Sequence, residues 1–202
     1  MAGDNFPAPM PLLLTLVFVL SGAAGLIYES IWSRYLGLFV GHSAYAQVIV
    51  LVIYLGGMSA GAAIAARYSE RIKEPLVTYA AAEIAVGFIG LFFHGLFRAV
   101  SDAAYSSIFP ALAGGAALVI VKWTIAGLLI LPQSVLLGTT FPLMSAGLLR
   151  RVSSDGATDT GRVLSVLYFA NSIGAALGVL VAGFYLIGAV GLPRHSAHRG
   201  SN

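Results

Sequence analysis

Cysteine and charge are what this chain has least of. None of its 202 residues is cysteine, and only 9% are Asp, Glu, Lys or Arg. A soluble domain carries roughly 25% charged residues, so the composition excludes that class. Without cysteine there is no disulfide, no thiolate nucleophile and no Cys-ligated metal. The motifs of soluble catalytic sites are missing too. There is no G-x-G-x-x-G after a strand, no P-loop, no H-E-x-x-H and no G-x-S-x-G. The first ten residues hold no Lys or Arg, only Asp4. Leu12–Leu20 followed by SGAAG therefore lacks the positive flank of a secretory signal and reads as a retained helix.

Apolar residues dominate instead, at 58% of the chain with a mean hydropathy of +0.90. The fold class that follows is all-α: a polytopic membrane helical bundle. The isoelectric point near 9.3 would suggest nucleic acid in a soluble protein. Here the eleven basic residues fall mostly in loops, where they set topology rather than bind nucleic acid.

Runs of about 20 apolar residues suffice to span a bilayer, and five are expected: 12–40, 44–66, 76–97, 115–149 and 162–190. The first, at 1.5 Å per residue, is roughly 43 Å long and so tilted or broken. Residues 99–113, less apolar and containing Pro110, read as a loop or interfacial segment. The 115–149 run contains Pro132 and Pro142 but no polar divider. A turn there would expose backbone polar groups to lipid, so one kinked helix is expected. Residues 1–192 form the transmembrane domain, and 193–202, PRHSAHRGSN, form a polar, disordered tail.

With five spans, Arg67, Arg71, Lys73, Arg150, Arg151 and Arg162 share the side of the N-terminus, and Arg34, Arg98, Lys122, Arg194 and Arg199 take the other. Short-loop bias places the N-terminus in the cytoplasm, in the cell (inner) membrane. Gly57 and Gly61, then Gly174, Gly178 and Gly183, give small-residue faces for close helix packing, within one bundle or between copies.

Few polar residues lie inside the spans. Glu29, Glu83, Lys122 and Asn171 are the candidate intramembrane site, because a charge at bilayer depth costs about 2.5–3.5 kcal/mol on insertion scales. Two accounts compete: structural glue within the bundle, or a path for a polar solute or protons. Lys122 sits at the depth of Glu29, so an ion pair between them is allowed, with Arg34 and Arg98 as rivals. Glu83 and His94, eleven residues apart, share a helix face about 16 Å apart. Trp32, Tyr35 and Trp123 fit an aromatic belt. His42, His94, His195 and His198 are too scattered for a metal site, although the last two suit weak binding. No catalytic residue, metal or cofactor is expected.

Four blocks carry a resemblance: SGAAGLIYESIWSRYLGLFVG, LGGMSAGAAIAARYSER, LLGTTFPLMSAGLLRR and GRVLSVLYFANSIGAALGVLVAGFYL. They resemble the membrane half of fused spermidine-synthase-like proteins, in which a region similar to the major facilitator superfamily precedes an aminopropyltransferase domain. Gly61 through Arg71 resembles the superfamily's helix 2–3 loop motif, with Arg67 and Arg71 as its basic residues and Ala65 or Ala66 where its Asp would stand. Gly174-Ala-Ala-Leu-Gly178 resembles the glycine motif of its fifth helix, without the usual proline. The resemblance implies an incomplete six-helix facilitator-like repeat. The family's Rossmann-like catalytic domain is absent from this chain, which implies no enzyme activity here.

Two functions are therefore expected to compete. One is a membrane anchor or scaffold for a soluble synthase-like enzyme or complex, docking through Arg67, Arg71, Arg150, Arg151 and Arg162. The other is a polyamine or small-cation module with Glu29 and Glu83 as counter-charges. Facilitator-type transport needs two repeats, so that module would work as a homo-oligomer or with a second membrane repeat.

Overall fold

A computed structural model describes residues 12–41, 44–112, 114–154 and 160–186. Five helices in it are long and apolar enough to cross a membrane. They are α1 (Leu12–Val40), α2 (Ala44–Tyr68), α3 (Pro75–Ala103), α4 (Gly115–Ser154) and α5 (Thr160–Val181). The described chain is thus an all-α, multi-pass membrane protein. His42, His195, His198, the 193–202 tail and the 187–190 end of the last expected span lie outside the described residues.

The 99–113 segment is not a loop. The third span runs on to Ala111, through a π-helical turn at Ala104–Ile108 and a final turn at Phe109–Ala111. Burial explains this: Phe93, Phe97, Ala104 and Phe109 all face the core, while Asp102, Ser106 and Ser107 point outward. The step of five from Ala104 to Phe109 is one residue too long for an α-helix, and the π turn absorbs it. Pro110 then falls in the first turn of the new segment, where a missing N–H costs nothing. Gly114 and Gly115, with φ of 87° and 79°, turn the chain back into α4.

The 115–154 stretch is one helix, as its apolar continuity requires. Side-chain donors serve carbonyls around both prolines. Near Pro132, Gln133 donates to the Leu129 carbonyl (3.1 Å) and Ser134 to that of Ile130 (3.0 Å). Near Pro142, Thr139 and Thr140 donate to the carbonyls of Leu136 (2.6 Å) and Leu137 (2.7 Å). These bonds satisfy the hydroxyls and the Gln133 amide inside the membrane; the carbonyls that lose an N–H partner to the prolines are those four residues earlier, Leu128 and Gly138.

Two helix pairs form the centre, α1 with α5 and α2 with α4. Each pair is parallel and meets backbone to backbone. A Cβ at Gly61 would meet the carbonyl of Val135, and one at Gly138 the carbonyl of Met58. In the other pair, Gly174 faces the Val19 carbonyl and Gly22 the Asn171 carbonyl. The two contacts are equivalent residue for residue: Val19 matches Val135, Gly22 matches Gly138, Met58 matches Asn171, and Gly61 matches Gly174. Burial keeps the same register. Val50, Tyr54, Gly57, Gly61 and Ala65 are buried along α2, and Val163, Leu167, Ala170, Gly174 and Gly178 along α5. Since consecutive spans alternate in direction, the second half repeats the first upside down. Gly183, the remaining glycine of the α5 series, faces open space.

A leucine at either contact tests this packing. Gly61→Leu and Gly174→Leu are each expected to lower stability by about 1–3 kcal/mol or more in detergent unfolding. Gly87→Leu, where nothing lies within 4 Å of an added Cβ, is expected to stay within about 0.5 kcal/mol.

Candidate functional site

A cavity of about 340 Å³ opens where the two pairs meet. Ser21, Gly22, Gly25 and Leu26 line it from α1, and Tyr54, Leu55, Met58, Ser59 and Ala62 from α2. Leu137, Gly138, Thr140 and Phe141 close it from α4, and Asn171 from α5. Equivalent positions of the two halves face one another here: Ser21 and Leu137, Gly22 and Gly138, Gly25 and Phe141, Met58 and Asn171. One apolar cluster, including Trp32, Phe39, Val50, Phe97 and Ile130, fills the bundle on one side. A second, including Phe18, Tyr79, Met144 and Leu148, fills the other. The cavity therefore lies at mid-helix, with no ionisable acid or base in its lining; Tyr54 is its one phenol.

Most of its hydroxyls are already engaged. The Tyr54 hydroxyl donates to the Gly25 carbonyl at 3.2 Å, and Thr140 to Leu137. Ser21 donates to the Glu83 carboxylate on α3. The half-buried Asn171 carboxamide, beside Gly22, makes no side-chain hydrogen bond among the described residues. It and the Ser59 hydroxyl, which likewise has no hydrogen bond among the described residues, are the polar groups left for a guest.

The other expected site residues do not converge on this space. Glu83 stands behind the wall, its carboxylate accepting from Ser21. One turn from it the buried Tyr79 hydroxyl, 4% exposed, faces the Ser21–Glu83 pair. Glu29 is one turn beyond Gly25 and accepts a long hydrogen bond from Ser33, 3.5 Å. The Glu29–Lys122 pair does not form. The Lys122 ammonium lies over the rings of Phe109 (5.1 Å) and Tyr105 (5.8 Å) instead. The helical 104–111 extension brings those rings there, and a cation over two aromatic faces has a partner without a carboxylate. Arg34 and Arg98 are exposed and take no part either.

Glu83 and His94 both face α1, His94 through a 2.7 Å hydrogen bond with Tyr35. Trp32 is no belt residue. It is 1% exposed, stacked on Tyr28 at 5.4 Å and edge-on to Tyr54.

Among the basic residues, Arg150 is spent internally. Its guanidinium donates to the carbonyls of Ile72 (2.6 Å), Ser69 (2.7 Å), Lys73 (3.2 Å) and Glu70 (3.4 Å), tying the α2–α3 turn to the end of α4. Arg67 and Arg71 are exposed, with Arg71 over the Tyr68 ring. Arg151 and Arg162 are exposed, each with contacts of its own.

The polar lining residues Tyr54, Ser59 and Thr140 escape a search for charged groups. The available signal was small: Ser59 within G-G-M-S-A-G, and Thr139-Thr140 ahead of Pro142.

The Arg150 fork is directly testable. Arg150→Gln is expected to speed tryptic cleavage at Arg71 and Lys73, since the turn loses its donors. Arg150→Lys should not restore protection, because a point ammonium cannot span four carbonyls.

Compared with family models, curated proteins and solved structures, the chain matches none.

Proposed function

We propose that this chain is a membrane module that binds a small solute in the mid-helix cavity, with the end holding Arg67, Arg71 and Lys73 in the cytoplasm. The observation that carries this reading is the joint lining of the cavity by equivalent positions of two inverted halves. In transporters with inverted repeats, substrates bind near the bilayer midplane at the repeat interface. The lining favours a neutral guest with an apolar body and one group that pairs with the Asn171 carboxamide. A polyamine is the weaker fit, because Glu29 and Glu83 stand outside the lining. Movement of solute across the membrane would need a second repeat, from a partner or another copy.

A second reading keeps the chain as a membrane anchor for a soluble synthase-like enzyme, following its resemblance to the membrane half of such proteins. The observation that favours it is the ledge fixed by Arg150, with Arg67, Arg71 and Lys73 exposed around it.

Binding of a panel of labelled solutes to proteoliposomes separates the readings. For a neutral amphiphile, Asn171→Leu is expected to weaken binding about tenfold, the loss of one buried hydrogen bond. Glu83→Gln should leave that binding within about twofold. Saturable spermidine binding abolished by Glu83→Gln would instead support the polyamine module. No saturable binding of any solute contradicts both solute readings and leaves the anchor.

A further inference from the structure

A second cavity, of about 260 Å³, lies at the end of the bundle that holds the α2–α3 turn. Lys73, Glu74, Pro75 and Leu76 form one wall, and Gly147, Arg150 and Arg151 the other. Three of these seven residues are basic and one is acidic. The walls are held together, because the Arg150 guanidinium grips four carbonyls of the turn. Those bonds pair its N–H groups with neutral acceptors and leave its charge in place. Lys73 is exposed and its ammonium has no hydrogen bond or ion pair in the described structure.

The two helices meet closely at the floor. A Cβ at Gly147 would press on the Leu76 side chain and lie 3.1 Å from its amide nitrogen. Glycine at this position thus lets α4 pack directly against Leu76 at the start of α3. The first hydrogen bond of α3 runs from Thr78 to the Glu74 carbonyl at 3.0 Å, and no side chain caps the helix. The Leu76 N–H on the cavity wall therefore has no acceptor within the helix.

Depth identifies the guest. The α4 span ends at Arg151 and the third span begins at Pro75, so the cavity sits where the hydrocarbon gives way to headgroups. Below it Val77 and Ile84 are 64% and 72% exposed, an apolar flank against which acyl chains can lie. Basic pockets between helices at this level suit lipid phosphate.

We propose that this basic cavity binds the phosphate of an anionic phospholipid at the membrane surface. Lys73 and Arg150 supply the charge, and the Leu76 N–H adds a hydrogen bond to a phosphate oxygen. Glu74 on the rim opposes binding and limits it to a singly charged phosphodiester. A zwitterionic choline headgroup is disfavoured, because its own cation would meet Lys73.

The full chain, reconstituted in phosphatidylcholine vesicles with a minor share of phosphatidylglycerol, is extracted in mild detergent and its retained lipids are counted by native mass spectrometry. Phosphatidylglycerol is expected to be enriched over its share in the vesicle. Lys73→Ala should cut that enrichment about fivefold, the usual worth of one lysine at a charged surface. Glu74→Gln should raise it, and Arg98→Ala, at the opposite end, should leave it unchanged. Retention in proportion to vesicle composition, or enrichment insensitive to both Lys73→Ala and Glu74→Gln, overturns the proposal. Displacement of the lipid by inorganic phosphate overturns the lipid assignment and makes the cavity a soluble-phosphate site.

Discussion

Direct backbone contact between α1 and α5, and between α2 and α4, determines where everything else in this bundle can sit. In lipid there is no hydrophobic gain from pairing two apolar helices. Association rests on van der Waals packing, which grows as backbones approach. Gly22, Gly61, Gly138 and Gly174 permit that approach, and a side chain at any of them would overlap a carbonyl of the facing helix. Once the two pairs are fixed, α3 packs on the remaining flank of α4, with Gly147 against Leu76 at one end. The rings of Tyr105 and Phe109 meet Lys122 at the other. The same small residues thin the walls at mid-helix, and a cavity follows from the tight crossings on either side of it.

The polar residues fit this frame in two different ways. Glu83, His94 and Lys122 tie α3 to its neighbours, through Ser21, Tyr35 and the Phe109 and Tyr105 rings. Each of these contacts links two helices. Asn171 differs, since its carboxamide has no such bond and faces the cavity. Of these polar groups, the amide and not the carboxylates lines the largely apolar recess.

How much of this was legible in the sequence varies by feature. Hydropathy set the number of spans, because nothing in 115–149 offered a turn that lipid would tolerate, and the glycine spacings marked the close contacts. Ser101, Asp102 and Pro110 suggest a loop that ends the third span early, whereas a π turn keeps Phe109 in the core. Pairings between distant residues were not legible. Depth alone allowed Glu29 and Lys122 to meet, but rotation about each helix axis decides contact, and that depends on packing. The inverted repeat was hidden for a related reason: the halves share small residues and a burial register, as in VLSGAA and VLLGTT, but few identities.

The central proposal is that two inverted halves enclose one solute-accessible recess at mid-membrane. The chain has no native cysteine, so single thiols can be placed without background. Ser59→Cys and Asn171→Cys, one from each half, are expected to react with a membrane-impermeant thiol reagent in intact vesicles, from at least one face. Ile84→Cys and Phe88→Cys, on the exposed apolar side of α3, are expected to stay unlabelled. Cavity thiols as inert as those two would contradict the account.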